Sequence, residues 1–411
     1  MTSYPAPFWF EVGTRLEGSP GRTGRLITPH GEIRTPAFIP VGTAATVKGV
    51  LPETMAALGA SAILANAYHL YLRPGAEVVE AAGGLAAFMN WPGVTFTDSG
   101  GFQVLSLGAG FKKVLAMDAG IPDDAVIAPR SQRLAVVDDD GVTFRSHLDG
   151  SRHRFTPEVS MQVQHRLGAD VIFAFDECTT LMNTRAYQEA SVARTAAWAR
   201  RCAAEHRRLT DVAGPDRAYQ GLFGVVQGAQ YEDLRRQAAR DLRSLGFDGY
   251  GIGGALEKQE LGRIVRWVCE ELPDGAPRHL LGISGLDDLF SAVEAGADTF
   301  DCVAPSRTAR HGRVYTPDGP LALKRAGLKA DCGPIDPECD CYTCAHYTRA
   351  YLNHLLRSGE MVGATLATVH NIRFVVRLVD AMRTAIDTGG AAGLAGLRTQ
   401  VLGRYFAGGR G

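Results

Sequence analysis

Two groups of residues in this sequence have types and spacings that could do chemistry. In the first, Cys339-Asp340-Cys341-Tyr342-Thr343-Cys344 packs three thiols into one short run, and His370 follows on a helical pattern. Three thiolates and one imidazole complete a tetrahedral zinc set and leave no position open for water. That predicts a structural metal and not a catalytic one. Unbound thiols this close together are a liability inside a cell, which argues against a chance cluster. Pro334 and Pro337 suit a compact knuckle, and spacing alone supports His370 least of the four. The second group is acidic. Val94–Thr97 runs into Asp98-Ser99-Gly100-Gly101, the run 171–175 into Asp176-Glu177-Cys178, and Thr299-Phe300 into Asp301-Cys302. The run 222–226 ends in Gln227-Gly228, and 250–252 in Gly253-Gly254. One acid after a strand is ordinarily a helix cap. Several carboxylates, an amide and bare backbone at successive strand ends would instead converge in one polar pocket. The glycine pairs read either as tight turns or as places where backbone approaches a flat ligand.

The elements that must position these groups alternate. Strands are expected at 36–41, 61–66, 94–97, 171–175, 222–227, 249–252, 279–283 and 299–303. Helices are expected at 157–167, 184–209, 231–245, 260–272 and 286–295. Alternation of this kind makes a parallel sheet with helices outside. Eight units predict a closed (β/α)8 barrel, with an open doubly wound sheet as the alternative, and barrels carry their chemistry at the carboxyl ends of the strands. Two regions break the rhythm. The stretch 111–140, with Gly120, Pro122, Pro129 and the acidic run 138–140, reads as an excursion between strands. Beyond about residue 320 the pattern becomes the cysteine cluster and then helices at 343–356 and 368–386. The chain therefore divides into a barrel, 1–320, and a zinc-binding subdomain with a C-terminal helical segment, 321–411. His69 reads as a packed residue, and Cys178, Cys202, Cys269, Cys302 and Cys332 as isolated thiols.

Composition agrees with a globular protein: 411 residues, 45% apolar, 21% charged. A formal net charge of -1 gives no global basic field, so contact with nucleic acid would need a local patch. The N-terminus lacks the pattern of a signal peptide, and no run of about 18 apolar residues predicts a membrane span. An intracellular, cytoplasmic reading follows, and it makes clustered cysteines metal ligands before disulfides. There is no Gly-x-x-x-x-Gly-Lys phosphate loop, and the His pairs that a barrel hydrolase would want at its strand ends are absent.

The motifs together resemble one family. Thr97-Asp98-Ser99-Gly100-Gly101-Phe102-Gln103, Phe175-Asp176-Glu177-Cys178, Gly224-Val225-Val226-Gln227-Gly228, Gly253-Gly254 and Phe300-Asp301-Cys302-Val303 are similar to those of bacterial tRNA-guanine transglycosylases. The zinc set matches as well, and the likeness runs from about Phe8 to Phe406. It implies a barrel with a zinc-binding subdomain, a homodimer, and exchange of guanine at the anticodon wobble position of tRNAs for Tyr, His, Asn and Asp. The incoming base would be a 7-substituted 7-deazaguanine, in queuosine modification. Asp301 resembles the nucleophile and Asp98 the general acid/base. Asp176, Gln227 and Gly254 resemble base-recognition positions, and Phe102 the aromatic that stacks on the base. The residue types suit that chemistry. A carboxylate can trap the cationic sugar covalently, and a second acid can protonate the leaving guanine.

Between Asp301 and the cysteines, Arg307, Arg310, Arg313, Lys324, Arg325 and Lys329 form a basic stretch that could meet phosphates. Two features depart from the family. The 111–140 excursion is longer than usual. The glycine pair is followed by Ala255-Leu256-Glu257-Lys258-Gln259-Glu260, where bacterial members tend to read Leu-Ala-Val-Gly-Glu. Cys178 matches members that take the small aminomethyl base, whereas Ala255 would enlarge the pocket, and Glu257 or Glu260 could meet a cationic substituent. The aminomethyl base is the expected substrate. A DNA-modifying relative and a non-catalytic zinc-containing tRNA-binding subunit are the alternatives, the latter disfavoured by the presence of both Asp98 and Asp301.

Overall fold

Short runs of β-branched and aromatic residues, each stopped by a polar residue or glycine, form one eight-stranded parallel sheet. The computed structural model describes residues 8–103, 135–254, 258–283 and 285–408. The strands are β1 (Ala37–Pro40), β2 (Ala62–Ala65), β3 (Val94–Thr97), β4 (Val171–Phe173), β5 (Gly221–Val226), β6 (Gly249–Ile252), β7 (Arg278–Leu280) and β8 (Thr299–Cys302). They pair in sequence order, with β8 also paired to β1. The remaining gap is bridged where Val41 pairs with Leu64 and the Gly42 N–H donates to Leu64 O at 2.7 Å. The sheet is thus a closed barrel, as the alternation predicts.

Alternate side chains fill the inside. Ile39, Leu64, Phe96, Phe173, Phe223 and Val225 belong to one buried cluster. Leu26 and Ile33 join it from a three-stranded antiparallel sheet, Trp9–Arg15, Arg22–Thr28 and Gly31–Thr35, so that sheet plugs the floor of the barrel. The other faces of the strands meet the helices. α1 (Pro157–Leu167) starts at Thr156, whose Oγ1 accepts from Val159 N, and stops at left-handed Gly168. α2 (Arg185–Ala213) is capped likewise by Thr184. α3 (Glu232–Arg243), α4 (Leu261–Glu271) and α5 (Leu286–Glu294) continue the outer layer. α4 shows why they pack: Leu261, Ile264, Val265 and Val268 recur at helical spacing and all are buried. Each such side chain contributes roughly 1.5–3 kcal/mol of hydrophobic burial.

Of the 111–140 excursion, 111–134 lies outside the described residues. The rest opens a second antiparallel sheet, Ala135–Asp138, Gly141–Arg145 and Arg152–Phe155, in which the acidic run forms the first turn.

After β8 the chain forms α6 (Ala304–Arg310) and the hairpin Arg313–Thr316/Gly319–Ala322, which spans residue 320. The expected helix at 343–356 is two, α7 (Tyr342–His346) and α8 (Arg349–Ser358). The Thr348 side chain accepts from Tyr351 N and so starts a new helix in place of the continuous one expected. The expected helix at 368–386 is part of α9 (Met361–Gly408), which bends at Gly390, a residue with φ 55°. By length and composition α9 could cross a membrane, but 67% of its most apolar stretch is buried in this fold, as in a core helix. Asn371 on α9 stitches the parts together. Its Nδ2 donates to Pro305 O and Arg313 O, and its Oδ1 accepts from Tyr315 N.

Candidate active site

The carboxyl ends of β3, β4, β5 and β6 lie side by side and carry Asp98, Asp176, Gln227 and Gly253-Gly254 in that order. Asp301, in β8, stands on the other side of the mouth, separated from β6 by β7 and from β3 by β1 and β2. The predicted residues therefore form an arc with one carboxylate facing it.

Asp98 is held on both oxygens. Oδ1 accepts from Ala67 N at 2.8 Å and Gly100 N at 3.3 Å, and Oδ2 from Gln103 Nε2 at 2.8 Å and from Asn66 Nδ2. Burial pushes its pKa above the usual carboxylate value, and these hydrogen bonds only partly offset that. A carboxyl poised to hold a proton suits a general acid.

Asp176 is buried. Its Oδ1 accepts from Ser99 Oγ at 3.0 Å and its Oδ2 from Gln227 Nε2 at 2.6 Å. Burial raises its pKa to about 6, the two hydrogen bonds lower it, and the neighbouring Asp98 charge raises it again. The folded protein thus binds this proton more tightly than the unfolded chain does. Stability falls as pH rises from about 4 through about 6, and the loss is complete above that range. Asp176→Asn should then stabilise the protein by up to roughly 3 kcal/mol at pH 8, with little gain at pH 4. The amide can be accommodated, because Gln227 Oε1 is buried without a hydrogen bond among the described residues and a turned Gln227 could accept from it. Equal melting temperatures of variant and parent at pH 8 would refute the assignment.

Two glycines are required here. A Cβ on Gly101 would lie 2.6 Å from Asp176 O, and one on Gly254, at φ +89°, 2.6 Å from Gln227 Oε1. Arg235 of α3 lies underneath, fully buried and without a carboxylate partner among the described residues. Its Nε donates to Ala229 O at 2.8 Å, and its Nη1 to Val226 O at 3.0 Å and Gly253 O at 2.7 Å. It clamps the ends of β5 and β6, and burial lowers its pKa to about 9. Cys178 next to the arc is a neutral thiol, pushed up to about 12 by burial and then by Asp176. Phe102, 39% exposed, stands in the helical start at Gly101–Gln103 that follows the Asp98 strand end. Residues 255–257 lie outside the described residues.

Asp301 Oδ1 accepts from Gly282 N at 3.0 Å and faces His279 Nε2 at 3.2 Å. Sequence reasoning places His279 in a strand and misses it as a site residue, as it misses Asn66, Gln103, Ser99 and Arg235. Each of these bonds to a candidate residue or to the backbone beside one. Ser99 and Gln103 stand inside the quoted Thr97–Gln103 motif, whereas nothing in the surroundings of Asn66, Arg235 or His279 marks them.

At the zinc cluster the ligand atoms of Cys339, Cys341, Cys344 and His370 lie within 4.8 Å of one another. His370 Nδ1 is 3.2 Å from Cys344 Sγ and 3.7 Å from Cys341 Sγ, while its Nε2 donates to Tyr315 O at 2.7 Å. A tetrahedron with arms of about 2.3 Å has edges of about 3.8 Å, so the donors fit a zinc ion. The carbonyl behind His370 fixes the tautomer that leaves Nδ1 for the metal. The four residues form one structural zinc site. The knuckle is tied to α9 through Asp340, which pairs with Arg373 at 2.6 Å.

The fold and site define a barrel protein with carboxylates and an amide gathered at the carboxyl ends of its strands. The family model described as queuine tRNA-ribosyltransferase matches residues 17–395. A queuine tRNA-ribosyltransferase of Symbiobacterium thermophilum is 46% identical over 383 residues, covering 92% of this chain and 88% of its own. Those of Moorella thermoacetica and Bacillus subtilis are 45% and 43% identical, covering 92% of this chain and 94% and 92% of their own. The chain belongs to the queuine tRNA-ribosyltransferase family and is an enzyme of the pentosyltransferase class.

Proposed function

We propose that this protein exchanges guanine at the wobble position of tRNAs for Tyr, His, Asn and Asp for a 7-substituted 7-deazaguanine. Asp301 attacks the ribose carbon and forms a covalent link, and Asp98 protonates the departing guanine and later takes a proton from the incoming base. Asp176, Gln227 and Gly254 read the edge of the base, and Phe102 stacks on its face. The observation that carries this reading is the arc of Asp98, Asp176, Gln227 and Gly254 on adjacent strand ends, with Asp301 facing it across the mouth. A base lying over the arc would direct its sugar toward Asp301. The target nucleotide must leave its stack to reach such a pocket.

The aminomethyl base is the proposed preferred substrate. The deciding experiment incubates the protein with labelled guanine and tRNA, with DNA as control, and then lets the aminomethyl, cyano and queuine bases compete. Incorporation into DNA alone, or no incorporation, rejects the function. A large advantage for queuine rejects only the choice of base.

The RNA contact is proposed for the basic stretch. Arg307, Arg313, Lys324, Arg325 and Lys329 are exposed and Arg310 half-buried. None of them has an acidic partner among the described residues, whereas arginines elsewhere, such as Arg201 and Arg236, are paired. Unpaired cations on one surface suit phosphates. Arg307→Ala and Arg310→Ala should each weaken tRNA binding and lower its salt dependence by about one counterion. An unchanged affinity and salt slope would reduce the stretch to ordinary surface.

The division into a barrel, 1–320, and a zinc-binding part, 321–411, belongs to the same proposal. So do a cytoplasmic location and a homodimer, the latter supported by the exposed Tyr342, Tyr351, Met361 and Val362 in the zinc-binding part. Sedimentation equilibrium tests the dimer.

A further inference from the structure

The His279 side chain is fully buried inside the barrel, between the rings of Phe96 at 5.5 Å and Phe173 at 5.3 Å. An imidazole in an apolar interior needs both nitrogens satisfied. One of them, Nδ1, lies 2.9 Å from Thr299 Oγ1, and the other, Nε2, lies 3.2 Å from Asp301 Oδ1. A carboxylate oxygen can only accept, so Nε2 carries the hydrogen; in the neutral ring Nδ1 is then the acceptor and the Thr299 hydroxyl donates to it. The Gly282 N–H donates to the same Oδ1 at 3.0 Å. Both donors that reach the carboxylate, one from β7 and one from the loop after it, fall on one oxygen. The other, Oδ2, receives no hydrogen bond among the described residues.

We propose that His279 is a positioning residue for the nucleophile: with Gly282 it fixes Asp301 by Oδ1 and so assigns Oδ2 as the attacking oxygen. This rests on the reading of Asp301 as nucleophile. An oxygen already accepting two hydrogen bonds is a poorer nucleophile, and a carboxylate pinned on one side has its free lone pairs aimed in one direction. In the step itself the bond from Oδ2 to ribose C1′ forms as the bond from C1′ to guanine N9 breaks. The electron pair of the broken bond leaves with the guanine, which takes its proton from Asp98. The Oδ1 hydrogen bonds persist in the ester, now to its carbonyl oxygen, so the same two donors serve both states.

The test compares rates of covalent adduct formation on tRNA and steady-state exchange. His279→Phe keeps a ring between Phe96 and Phe173 and removes both nitrogens. It should lower kcat and the adduct rate by about 10²-fold while KM for tRNA changes little, since misplacement of a reacting group costs rate and not binding. His279→Gln, which can again offer an N–H to Oδ1, should recover activity to within about tenfold of the parent. Thr299→Val leaves the ring but not the donor that fixes its tautomer, and should cost about tenfold in kcat. A parental adduct rate in His279→Phe overturns the proposal. So does an equal loss in His279→Phe and His279→Gln, which would mark a packing role. If His279→Phe does not fold, a parental kcat in Thr299→Val overturns it instead. Asp301→Asn runs alongside. An adduct formed by that variant rejects the nucleophile itself, whereas an inert Asp301→Asn with a normal His279→Phe rejects only the positioning.

Discussion

Asp301→Asn is expected to give a folded protein that binds tRNA, forms no adduct and exchanges guanine at least about 10⁴-fold more slowly, a loss of about 5.5 kcal/mol of transition-state stabilisation. The fold should survive, because the amide oxygen can take the place of Oδ1 and still accept from His279 Nε2 and Gly282 N. What changes is the free atom: an amide nitrogen stands where the attacking oxygen was, and its lone pair is delocalised. Trapping with a base analogue and a denaturing gel reads the adduct directly, and an adduct in the variant would dismiss Asp301 as nucleophile. Asp98→Asn should behave differently. It leaves the nucleophile intact but removes the proton the departing guanine needs, at a cost of roughly 10²–10⁴ in rate. Full activity in Asp98→Asn would remove it from the acid/base role.

Loss of zinc should have the largest effect on the fold. Elemental analysis is expected to return one zinc per chain, and chelation or Cys341→Ala to lower the melting temperature and open the knuckle to proteases. Binding of a structural zinc is worth about 10–16 kcal/mol in isolated zinc-finger peptides. Here the effect should be more local, because Ile335, Leu352, Leu355, Leu356 and Leu366 form their own buried cluster with Val314 of the hairpin and Leu323 just after it. The vulnerable part is Asp336–Cys344. Its thiols gather around His370, and without an ion nothing would hold the four donors together. No zinc in the purified protein, or an undiminished fold after both treatments, would reject the site.

The eight strands are legible in the sequence because they are short runs between helical patterns, and five of them stop at the residues proposed to do the chemistry. Strand end and site are the same signal, which is why spacing and residue type are enough to place Asp98, Asp176, Gln227 and Asp301 at the barrel mouth. The supporting residues are not legible. His279 sits at a position that alternation assigns to the barrel interior, and an interior histidine reads as packing until its neighbours are known. Arg235 follows Leu234 and precedes Arg236 on an amphipathic helix, where two adjacent arginines look equally exposed. One pairs with Glu232, Glu270 and Glu271 at the surface, and the other turns under the barrel rim to bind carbonyls. The break between α7 and α8 depends on one side-chain cap at Thr348. The acidic run Asp138–Asp140 reads as an irregular excursion because a two-residue turn and a loop look alike without the pairing of Val142 to both Val137 and Phe155.

The sheet under the barrel has a kinetic consequence. Leu26 and Ile33 pack against the strand residues of the barrel interior and close its floor, so in the proposed reaction the bases would use the open end, and in the proposed covalent stage the tRNA would sit across it. On that proposal the expelled purine would depart through the end by which its replacement arrives, and the two bases would not occupy the site together. Free guanine would then compete for the proposed ribosylated enzyme, and the yield of modified tRNA would depend on the concentration ratio of the two free bases as much as on the affinity of either.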